Sequence, residues 1–76
     1  MTLIFNLYIE INKQLQEVTE TINNCEKTLS QINLTDKYRK ITEDCLKTNE
    51  LRYQKLTNIR NKIEDNIEKY MEELEK

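Results

Sequence analysis

The stretch Ile4–Ile32, IFNLYIEINKQLQEVTETINNCEKTLSQI, decides the fold. Alternating steps of four and three pick out Ile4, Tyr8, Ile11, Leu15, Val18, Ile22, Cys25, Leu29 and Ile32. Every member of the series is apolar or a cysteine. A repeat of about 3.5 residues places them all on one stripe of a helix, and such a stripe needs a second helix to cover it.

Past Ile32 the same steps fall on Asp36, Arg39 and Glu43, so the seam stops and the chain is expected to reverse. Asn33-Leu34-Thr35-Asp36 supplies the chemistry for a turn. Asn33 tolerates a left-handed backbone in a chain without glycine, Thr35 suits an N-cap, and Asp36 suits the positive end of a helix dipole. Thr2 is the expected cap of the first helix. A second seam then runs Tyr38, Ile41, Cys45 and, displaced by one residue, Leu46, Asn49, Tyr53, Leu56, Arg60, Ile63, Ile67, Tyr70, Leu74. The displacement predicts local repacking.

The expected architecture is all-α. An antiparallel two-helix hairpin fills residues 1–76, with helix 1 at about 2–32, a turn at about 33–35 and helix 2 at about 36–76, completed as a helical bundle by self-association or a partner. The two seams match when laid against each other. Near the turn, facing residue numbers add to 70, setting Ile32 against Tyr38, Leu29 against Ile41 and Cys25 against Cys45. Beyond Leu46 they add to 71, setting Val18 against Tyr53, Leu15 against Leu56, Tyr8 against Ile63 and Ile4 against Ile67. Two other readings compete. Asn23-Asn24 offers a break that would give three helices, and the alternation Leu3, Phe5, Leu7, Ile9, Ile11 resembles a strand.

Composition narrows the function classes. The 76 residues include no Gly, Pro, Ala, Trp or His, and 34% are charged with both signs interspersed. Lacking Gly and Pro, the chain has few tight hairpin turns to offer a β-fold. The absence of histidine removes the commonest general base and a common metal ligand, and two cysteines cannot close a four-ligand zinc site. No enzyme activity, cofactor or small-molecule substrate is expected, because the carboxylates lie on faces that should be wet. A net charge of −2 argues against general nucleic-acid binding. The apolar Met1–Ile11 segment is too short to span a membrane, so the expected location is cytoplasmic.

What remains points to association between proteins. Leu3 and Leu7 lie on one flank of helix 1 and Phe5 and Ile9 on the other, and one hairpin cannot cover both. With Ile59, Arg60 and Met71 of helix 2 they form the expected partner interface. Asn49 and Arg60 are polar on seam positions, where an Asn often sets register and an Arg can pair with an acid of a partner chain. Cys25 and Cys45 form a possible disulfide, worth roughly 3 kcal/mol by loop closure if unstrained; the competing reading is two reduced thiols packed as small apolar residues.

The expected function is a small protein–protein interaction module, a self-associating homo-oligomer such as a four-helix bundle or a docking subunit of a larger complex. One alternative is a phage- or virus-encoded inhibitor that binds a host protein. A second is an RNA-binding helical bundle, drawing on the basic residues Lys37, Arg39, Lys40, Arg52, Lys55, Lys62 and Lys69. Its parallel with the small dimeric hairpin proteins of plasmid copy control is one of architecture alone.

Overall fold

A computed structural model of the chain describes residues 2–75, the side chain of Thr2 apart, as two α-helices, α1 (Thr2–Leu29) and α2 (Asp36–Glu75). They pack antiparallel along the expected seam. The cap expected of the Thr2 side chain falls outside the described residues. Helix α1 passes unbroken through Asn23-Asn24 and includes Leu3–Ile11, which disposes of both the three-helix and the strand readings. Helix α2 also runs without interruption through the seam displacement at Cys45–Leu46.

The turn differs from expectation. Helix α1 ends at Leu29, three residues early, and residues 30–35 make the reversal. The ending is set by Ser30, whose N–H is shared between the carbonyls of Glu26 and Lys27, at 3.2 Å each, while its hydroxyl donates to Lys27 O at 2.6 Å. Gln31 N–H donates to Thr28 O at 3.1 Å, a tighter 3₁₀-type bond. Arg39 Nη1 reaches the last carbonyl, Leu29 O, at 3.5 Å. All four carbonyls that an α-helix leaves open at its C-terminus thus find donors. No described residue has a positive φ, so the left-handed conformation expected of Asn33 is not used. A six-residue connection is long enough to reverse the chain without one.

The expected start of α2 is present. Thr35 Oγ1 accepts the Tyr38 N–H at 3.3 Å and Thr35 O accepts the Arg39 N–H at 2.9 Å, with Asp36 in the first turn. Thr35 is therefore the N-cap, contributing about 1 kcal/mol.

The core is a single file. Ile11, Leu15, Val18, Leu56 and Ile63 are buried together, and Ile4, Tyr8, Ile22 and Ile67 pack against them. All nine belong to the two seams read from the sequence. Tyr8 Oη donates to Glu64 Oε1 at 2.8 Å, one residue from its expected opposite, Ile63. The expected pairing of Ile32 with Tyr38 fails, because α1 has already ended at Leu29, and Ile41, expected opposite Leu29, stays exposed. Ile32 is 96% exposed, and Tyr38 is exposed too. Tyr53 is also half out of the seam.

The result is a rod of 62 × 16 × 14 Å. Helix α2, about 60 Å long at 1.5 Å per residue, spans the whole axis, and α1 covers roughly two-thirds of it. Beyond Ile67, opposite Ile4, Tyr70 and Leu74 continue the seam with Met71 beside them, and all three side chains are exposed. Among the described residues no helix is long and apolar enough to cross a membrane.

Candidate interaction surface

The seam explains which side chains stay outside it. Residues of α1 three or four apart share a face, so burying Ile4, Tyr8, Ile11 and Leu15 leaves the steps to either side of that stripe uncovered. Leu3 is 84% exposed and Ile9 64%, with Phe5 and Leu7 between 40% and 50%. On α2, Ile59 and Met71 are likewise exposed.

Helical phase sorts these residues onto two sides of the rod. Tyr8 and Glu64, joined by their hydrogen bond, mark one side. Phe5 lies one turn before Tyr8 and Met71 two turns after Glu64, so Phe5, Ile9 and Met71 belong there. Cys25 and Cys45 line one groove and mark the opposite side. Leu7 stands five turns before Cys25, and Ile59 two heptads after Cys45, so Leu3, Leu7 and Ile59 belong with them. Both sides converge on the open end of the hairpin, where Tyr70, Met71 and Leu74 protrude beyond α1.

Arg60 lies on the seam position expected of it, with its Nε buried. Its Nε lies 3.7 Å from Glu64 Oε1, the oxygen that also accepts from Tyr8. That distance is outside hydrogen-bond range and makes a Coulombic i,i+4 pair within α2, worth at most about 1 kcal/mol in a half-exposed setting. The contact stays within α2, and Arg60 Nε itself is buried without a hydrogen-bond partner. Asn49 also turns inward on its own helix. Its Nδ2 donates to Cys45 O at 2.8 Å and to Cys45 Sγ at 3.5 Å, so it makes no bond across the seam that could set register.

Several exposed apolar residues lie outside the set expected from the sequence: Ile32, Tyr38, Ile41, Leu51, Tyr53, Tyr70 and Leu74. Leu51 carried a signal, since it falls off both α2 stripes. Tyr38, Ile41 and Ile32 carried a misleading one, because they continue a seam whose partner strand of side chains ends at Leu29.

The two cysteines are free thiols, Cys25 buried and Cys45 exposed. Burial pushes the Cys25 thiol above its ordinary pKa, and the neighbouring Cys45 sulfur and the Glu26 carboxylate add to the effect. The two thiols share an open groove of about 360 Å³, walled by Thr28 of α1 and by Tyr38 and Ile41 of α2. Among the described residues there is no group of three or more His, Cys, Asp or Glu side chains placed to hold a metal ion. No protein-family model, curated protein or solved structure matches this chain.

Proposed function

We propose that this chain is a protein–protein interaction module that completes its core by pairing with a second copy of itself through the apolar open end of the hairpin. One observation carries the reading. The chain exposes 6261 Å², whereas a compact monomer of 9.2 kDa should expose about 4,900 Å². An excess of roughly 1,300 Å² per chain, or roughly 2,600 Å² for two copies, falls within the roughly 2,000–5,000 Å² that obligate homodimers bury in total.

The composition of that surface supports the same reading. Leu3, Phe5, Leu7, Ile9, Ile59 and Met71 are all exposed, on two sides of the rod and mostly toward its open end. Two hairpins joined there make a four-helix arrangement in which the uncovered flanks replace water with one another. Removing apolar area from water contributes about 25 cal/mol per Å², enough to outweigh the ordering of a few side chains. We propose a cytoplasmic location as well, an environment in which both thiols start reduced.

Sedimentation equilibrium combined with thermal melts over a hundredfold dilution series tests it. A dimer whose melting temperature falls on dilution is expected, since association and folding are linked by mass action. A folded monomer at micromolar concentration, with a melting temperature indifferent to dilution, would overturn the proposal.

A further inference from the structure

The groove near the turn holds a second feature, independent of self-association. Two thiols from different helices meet there with unequal access. Cys45 is exposed, Cys25 is only 8% exposed, and the Asn49 amide donates to Cys45 Sγ and holds that sulfur at the groove. Around them the walls mix hydroxyl and amide groups of Thr21, Asn24 and Thr42 with the apolar faces of Tyr38 and Ile41. Such a lining suits the peptide-like body of a small thiol better than it suits a metal ion.

We propose that Cys45 is a modification site for low-molecular-weight disulfides of the glutathione type, and that Cys25 resolves the adduct into an intrachain disulfide linking α1 to α2. In the first step the Cys45 thiolate attacks one sulfur of the small disulfide. The S–S bond breaks, one small thiolate leaves, and it takes up the proton that Cys45 lost. In the second step the Cys25 thiolate attacks Cys45 Sγ. The mixed disulfide breaks, and the second small thiol leaves with the proton from Cys25. Two protein thiols are oxidised by two electrons in all, and one small disulfide is reduced to two thiols.

The order follows from access. Thiol–disulfide exchange needs a thiolate with a free approach to the attacked sulfur. Cys25 has less of both at first, being shielded from solvent and less readily ionised. Once Cys45 carries the adduct, the sulfur beside Cys25 is itself the target, and the reaction becomes intramolecular. The bond would tie the helices ten residues on either side of Thr35, at the turn end of the hairpin, where Tyr38 and Ile41 are exposed and the buried file does not reach.

The test incubates the full-length reduced protein with glutathione disulfide, quenches with acid at intervals, and maps peptides by mass. Transient glutathionylation of Cys45, followed by an intrachain Cys25–Cys45 bond and a higher melting temperature, is expected. Cys25→Ser should accumulate the mixed disulfide at Cys45, and Cys45→Ser should react roughly tenfold more slowly. A first adduct on Cys25, an adduct that never resolves, or bonds formed only between chains would overturn the assignment. The time course of the unmodified sequence decides the order of attack even if a variant folds poorly.

Discussion

At the scale of single residues, the seam side chains and the polar bridge between the helices differ in weight. Leu15 is 6% exposed and sits in the buried file with Leu56 and Ile63. Truncating it to alanine removes a buried isobutyl group and leaves a cavity, at a cost of about 2–5 kcal/mol. A core two helices thick relaxes easily, which favours the lower end. Tyr8→Phe removes only the half-exposed hydroxyl that donates to Glu64, and should cost at most about 1 kcal/mol. Urea midpoints for the two variants should therefore separate clearly; equal shifts would mean that the file is not the core. Cys25 adds a pH dependence. Its folded pKa is raised above the usual 9.0, so the native state keeps a proton that the unfolded state has released. Stability is then full below the ordinary thiol pKa and is lost as the pH climbs from there towards the folded value. Melts from pH 8 to pH 10 should show this decline, and Cys25→Ser should flatten it relative to the parent.

At the scale of elements, α1 has two jobs on different stripes. One faces α2 and holds the hairpin; the other two, Leu3 with Leu7 and Phe5 with Ile9, face solvent. Charges on the second kind of position should separate association from folding. Phe5→Asp with Ile9→Asp leaves the seam untouched but puts two carboxylates into an apolar contact, where each costs several kcal/mol unless paired. Circular dichroism is expected to show helices largely retained, while light scattering shows the assembly lost. Leu15→Asp should instead abolish the helical signal, because it charges the seam itself. Unchanged assembly in the Phe5/Ile9 double variant would remove that flank from the interface and leave Leu3 with Leu7 as the contact.

At the scale of the whole molecule, the mismatch in helix length shapes the surface. Forty residues in α2 against twenty-eight in α1 leave an overhang at one end, after a six-residue turn closes the other. The overhang carries Tyr70 and Leu74 on the continuation of the seam and Met71 beside it, all three exposed. Ending the chain after Lys69 should weaken self-association at least tenfold if these side chains supply two or three apolar anchors. The hairpin core, which lies between Ile4 and Ile67, should keep its helicity. Sedimentation of the shortened chain checks this, and an undiminished association constant would place the contact elsewhere along the rod.

The sequence by itself determined the helical class, the two seams and their register, because a 3.5-residue apolar repeat has only one way to hide in water. It also marked Thr35 as the cap of α2 and the flanks of α1 as surplus apolar surface, since both depend on local chemistry and on the width of one stripe. Tertiary structure alone decided where α1 ends. Ile32 and Tyr38 extend the pattern, but Ser30 and Arg39 satisfy the helix-end carbonyls three residues sooner, and that outcome depends on a donor reaching across the turn from α2. It also decided that Arg60 pairs with Glu64, that Asn49 bonds back to Cys45, and that of two cysteines at matched seam positions one is shielded and the other open. Periodicity places side chains on a face, whereas their exposure depends on what the opposite helix has left to cover them.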